Sequence, residues 1–171
     1  MSERVAKNYR LCSTKPHIFW IQHFAPNIAL GDDEDNVDMD KMLSCLEMSN
    51  STEFINSLPE RLETRIGDRG IRFSGGQLQR LAIARALYQD PKILILDEAS
   101  ANLDTLSQKE FQRCIDSLSN KLTTISIAHR LETLKNCDEI IQLDKGKIIA
   151  VGTFDNLEKT SESFRKLLGK V

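Results

Sequence analysis

Residues 71–104, IRFSGGQLQRLAIARALYQDPKILILDEASANLD, place a glycine pair, an apolar helix, an apolar strand and two adjacent carboxylates in one run. Ser74 and Gln77 have the S-x-x-Q spacing of a capping box, which predicts a helix from Ser74 to about Tyr88. Gly75 and Gly76 fall in its first turn, where each costs up to ~1 kcal/mol relative to alanine. A cap alone does not require two glycines. Bare amides at a helix N-terminus attract anions, and the missing side chains let a phosphate come close, so the pattern predicts phosphate binding. A merely well-capped helix is the plainer alternative.

Asp90-Pro91 ends the helix, because a residue before proline is pushed out of the helical region. Lys92 to Leu96 then reads as a parallel strand buried on both faces. It delivers Asp97 and Glu98 to its C-terminal end, the edge at which open α/β sheets bind ligands. Successive side chains on an extended segment point in opposite directions, so the two acids divide the work. One holds a hydrated magnesium ion, and the other orients and deprotonates a water. The alternative is two solvated acids at a strand end. His129 follows the next β-rich run, Leu122 to Ala128, and is placed to bond a terminal phosphate or position a water. Taken by itself, a strand-end histidine is more often structural.

Outward from this core, Phe111, Cys114, Ile115 and Leu118 form a helical stripe that Asp104 is placed to cap. Asp138 to Leu143 and Lys147 to Val151 read as strands joined by a tight turn at 144–146, and Asn156 to Leu168 as a closing helix. Upstream, Met42 to Ser57 reads as one or two short helices. GDDEDNVDMD at 31–40 lacks the glycine of a calcium loop and reads as a solvated loop feeding acids into a helix N-terminus. Residues 1–26 stand apart in composition, with His17, Trp20 and His23 and no clear periodicity.

At 171 residues the chain suits one domain with a sizeable core. Its net charge of −2 argues against a general nucleic-acid or anionic-membrane binder. Cys12, Cys45, Cys114 and Cys137 form no C-x-x-C pair and read as reduced thiols of a cytosolic protein. The N-terminus has no secretory h-region, and no apolar run approaches the ~20 residues that span a bilayer. Alternating helices and strands predict an α/β layer with a mainly parallel sheet.

Together these motifs resemble the nucleotide-binding domain of ATP-binding cassette (ABC) transporters of the exporter type. FSGGQ at 73–77 is similar to the signature motif, ILILDE at 93–98 to Walker B with its catalytic glutamate, and SANLD at 100–104 to the D-loop. His129 falls at the switch histidine, and TRIGDRG at 64–70 resembles the segment that touches the transmembrane domain's coupling helices. The match is placed from about Asn27 to Leu168. The resemblance implies a P-loop NTPase-like fold with a mainly parallel sheet and a helical subdomain. The helical subdomain would span about 27–90 and the α/β core about 91–171. It also implies ATP and Mg2+ as ligands, with Asp97 serving the metal, Glu98 as general base and His129 on the γ-phosphate. Ser74, Gly75, Gly76 and Gln77 would close over ATP held by a second nucleotide-binding domain, and Asp104 would work across the same interface. The partners implied are that second domain and a transmembrane domain, at the cytoplasmic face of the membrane, with no nucleic acid.

The family's G-x-x-x-x-G-K-[ST] P-loop does not occur in the sequence, and Lys15 stands where the Q-loop glutamine is counted. The expectation is therefore a domain truncated at its N-terminus, with residues 1–26 foreign to the Q-loop region and the isolated chain inactive. The alternative is a non-catalytic partner that lends only its signature face to a complete ATPase.

Overall fold

The computed structural model describes residues 9–13, 23–29, 36–64, 73–97, 99, 103–128 and 131–169. The chain divides into two compact units, Met1–Ile127 and Ala128–Val171. In chain order the first holds β1 (Tyr9–Ser13), α1 (Phe24–Ile28), α2 (Met39–Met48), α3 (Thr52–Asn56), α4 (Gly75–Tyr88), β2 (Ile93–Asp97), α5 (Thr105–Leu118) and β3 (Thr123–Ile127). The second holds β4 (Ile140–Asp144), β5 (Lys147–Gly152), α6 (Phe154–Thr160) and α7 (Glu162–Leu167).

In the first unit β2 is the middle strand of a parallel sheet ordered β1-β2-β3. Ile93 pairs with Tyr9 and Thr123, and Asp97 with Ser13 and Ile127, so the C-terminal ends of all three strands lie level. Tyr9–Ser13, within the segment of unusual composition, is one of the sheet's two flanking strands. Phe24, from the same segment, is wholly buried in the main core. That core gathers Phe24 and Ile28 of α1, Met42, Cys45 and Leu46 of α2, Leu81, Ile83 and Ala84 of α4, and Leu94 and Leu96 of β2. The apolar run of β2 predicts burial on both faces. Leu94 and Leu96 are buried, whereas Ile93 and Ile95 are half-buried. Leu94 and Leu96 belong to the helical core, whereas among the described residues Ile93 and Ile95 join no core cluster.

The seam between α2 and the end of α4 is polar. Tyr88 Oη accepts the Asp38 N–H at 2.9 Å, and Lys41 pairs with Asp90 while lying over the Tyr88 ring. The hydrogen bond to Asp90 raises the Lys41 pKa above its ordinary value. Asp90 takes a left-handed φ of 49°, which ends α4 ahead of Pro91. Beside this seam, burial pushes the Cys45 thiol up to about 11, so it is an inert core group.

In the second unit β4 and β5 form an antiparallel hairpin. Lys145 and Gly146 both have positive φ (46° and 75°), as the tight turn predicted at 144–146 requires. The single closing helix expected over Asn156 to Leu168 is two helices. Ser161 is extended (φ −103°, ψ 111°); its N–H donates to Leu157 O, ending α6, and its Oγ accepts the Phe164 N–H, starting α7. A serine that bonds locally to the backbone favours a cap over helix interior. Ile140, Leu157 and Phe164 form this unit's own small core, with the Phe154 ring edge-on to Phe164.

Candidate functional site

The site begins at the N-terminus of α4, where the predicted capping box is present. Ser74 Oγ accepts the Gln77 N–H (3.2 Å), and Gln77 Oε1 accepts the Ser74 N–H (2.8 Å). A helix leaves its first four N–H groups without intrahelical acceptors. The box takes two of them and leaves those of Gly75 and Gly76. Gly75 is exposed and Gly76 is buried. The free end of the helix is thus two unsubstituted amides at the positive pole of a 14-residue dipole.

Gly76 meets a neighbour that sequence reasoning missed. A Cβ built there would stand 2.6 Å from Ser107 Cβ and 2.7 Å from Ser107 Oγ. Packing against α5 is therefore one demand for glycine at 76. One turn along, Arg80 of α4 is buried, pairs with Glu110 of α5 and lies under the Phe54 ring (5.6 Å). These side chains line a groove of about 850 Å³ that Ser74 and Gln77 flank. No local sequence signal marks a contact between residues 76 and 107.

Asp104 caps α5 as expected. Its carboxylate accepts the N–H groups of Leu106 and Ser107 (3.0 Å each) and the Ser107 hydroxyl (2.7 Å). The backbone bond from Ser107, then its hydroxyl, hold the Asp104 carboxyl below the usual carboxylate range. A depressed pKa stabilises the fold fully above the ordinary range and loses that effect as pH falls through the lowered value. Asp104→Ala is therefore expected to melt about 2–4 °C below the native chain at neutral pH. The gap should close in acid, which thermal melts across a pH series will read.

Asp97 ends β2, half-buried and level with the ends of β1 and β3. Glu98, His129, Lys15, Ser100 to Asn102 and the 65–70 part of TRIGDRG lie outside the described residues. Among the described residues no cluster of three or more His, Cys, Asp or Glu could hold a metal by itself. A lone strand-end carboxylate still fits magnesium, which keeps its waters and takes one or two carboxylates plus substrate phosphates.

A family model described as "ABC transporter" matches residues 2–101. The chain belongs to the ABC transporter family. The match begins at residue 2, upstream of Asn27 where the motifs alone place it, in accord with the positions of β1 and Phe24. The ABC chain is 48% identical over 133 residues to an ATP-dependent lipid A-core flippase of Nitrosococcus oceani, an alignment covering 78% of this chain and 22% of the flippase. It is 42% identical over 168 residues to the multidrug resistance protein pgp-1 of Caenorhabditis elegans, covering 98% of this chain and 13% of that protein. It thus spans under a quarter of the length of either relative. A solved bacterial Atm1-family ABC exporter with ATP bound shares 31% identity and a TM-score of 0.77 over 94% of this chain and 28% of that one. The fold is accordingly that of an exporter-type, P-loop NTPase-like nucleotide-binding domain. ABC ATPase domains bind ATP, generally with Mg2+. Among the described residues no helix is long and apolar enough to cross a membrane.

Proposed function

We propose that the chain forms part of an ABC ATPase that couples ATP hydrolysis to export, at the cytoplasmic face of a membrane and joined to it through a transmembrane partner. The observation that carries this reading is the N-terminus of α4, where the Ser74–Gln77 box leaves the Gly75 and Gly76 amides as the available donors. These amides and Ser74 meet the terminal phosphates of ATP held by a second nucleotide-binding domain, in a head-to-tail pair. The bound ATP named for the structural neighbour supports a nucleotide as the ligand.

Where an upstream P-loop half completes the chain's own site, Asp97 would hold the magnesium ion of MgATP, which would neutralise phosphate charge. Glu98 accepts the proton of the attacking water, and His129 holds the γ-phosphate. Asp104, whose carboxylate is engaged in capping α5, acts at the interface by fixing that helix start. Residues 27–90 serve as the helical subdomain, and 91–171 together with β1 as the α/β core.

The test is association. The chain, mixed with a complete exporter nucleotide-binding domain, should pair in the presence of MgATP and separate without it, as read by sedimentation. Pairing that ignores nucleotide would refute the reading. Ser74→Arg, which fills the space before the glycine amides, should weaken the MgATP-driven pairing at least tenfold.

A further inference from the structure

We propose that Ser107 is a positioning residue for the glycine amides of α4, acting through Gly76; this rests on the nucleotide-facing role just assigned to that helix end. Gly76 backs onto Ser107 so closely that no Cβ fits between them, with Ser107 Cβ, Oγ and Cα at 2.6, 2.7 and 3.5 Å from the position a Cβ would take. Ser107 Cβ, at 2.6 Å, does not move when the side chain changes rotamer, so the contact cannot relax by a rotamer change alone. Ser107 is itself fixed. Its N–H and its hydroxyl both bond the Asp104 carboxylate, at 3.0 and 2.7 Å.

The contact is one end of a seam. From Gly76 to Arg80 is four residues on α4, and from Ser107 to Glu110 three on α5, so both pairs lie on facing sides of the two helices. The Arg80–Glu110 pair sets the helices' rotation one turn in, and Gly76–Ser107 sets the distance between their starts. Asp104–Ser107–Gly76 is then a chain of direct contacts from the segment that follows β2 to the amides of α4. A shift of about 1 Å at such donors is enough to lower binding or rate by about 10²-fold. The position of α5 therefore governs whether Gly75 and Gly76 can meet a phosphate.

A double-mutant cycle on the chain tests this, reading both melting temperature and MgATP-driven pairing with a complete nucleotide-binding domain. Gly76→Ala should lower Tm by about 3–10 °C, because overpacking strains the seam, and weaken pairing at least tenfold. In the Ser107→Gly background the same Gly76→Ala change should cost little by either measure. If Tm recovers but pairing stays lost, Gly76 serves the phosphate directly and Ser107 is not a positioning residue. Failure of both to recover would show that Ser107 is not what excludes a side chain at 76, and an undiminished Gly76→Ala protein would sink the proposal outright. An unaltered chain that never pairs under MgATP overturns the nucleotide role of α4 and the positioning role with it, while the Tm cycle still decides the contact.

Discussion

Once an upstream P-loop half is joined to the chain, Glu98→Gln should lower MgATP turnover by about 10²–10⁴-fold while leaving ATP binding intact. Glu98 directly follows Asp97, the last residue of β2 and level with the ends of β1 and β3. Glutamine keeps the shape and loses the capacity to take a proton. The comparison is turnover against ATP binding, in the chain so completed. Normal turnover would refute the base assignment.

The largest structural effect is expected at Phe24. Its ring has no solvent exposure and meets the Phe73 ring edge-on at 5.8 Å, and Phe73 in turn meets Phe54 at 6.0 Å. Phe24→Ala removes the inner member of this aromatic row and should cost about 3–5 kcal/mol, a fall of roughly 6–15 °C in Tm of the first unit. Because Phe73 immediately precedes Ser74, loosened rings also free the residue that leads into the capping box. Far-UV melts read the first effect. A fall under about 2 °C would mean that α1 is not anchored in the core and that residues before Asn27 add little to the fold.

Much of the architecture was legible because its determinants are local. Ser74-x-x-Gln77 marks the start of α4, Asp90-Pro91 marks its end, the ILIL run marks β2, and Asp104 marks the start of α5. β1 was hidden because five residues, YRLCS, carry too short a pattern and acquire meaning only when paired with β2. Composition set residues 1–26 apart, yet the ladder of Tyr9–Ser13 and the burial of Phe24 tie those two parts of the segment to the first unit. The break at Ser161 was missed because a helical stripe runs through Leu157 and Phe164 on either side, and the deciding interaction is a hydroxyl on a backbone amide. The glycine pair was legible in the first turn of a capped helix because the Ser74–Gln77 box is local. Its second member's debt to Ser107 was not visible, since that constraint comes from a residue 31 positions away.

The central claim is that the Gly75 and Gly76 amides of α4 meet nucleotide held by another domain. Labelling the eight glycines of the chain with ¹⁵N gives a small set of backbone amide signals. On adding a complete nucleotide-binding domain with a non-hydrolysable MgATP analogue, the Gly75 and Gly76 signals should shift, while those of the hairpin-turn Gly146 and of Gly169 stay in place. If the proteins pair and the Gly75 and Gly76 signals do not move, the contact lies elsewhere and the account is wrong.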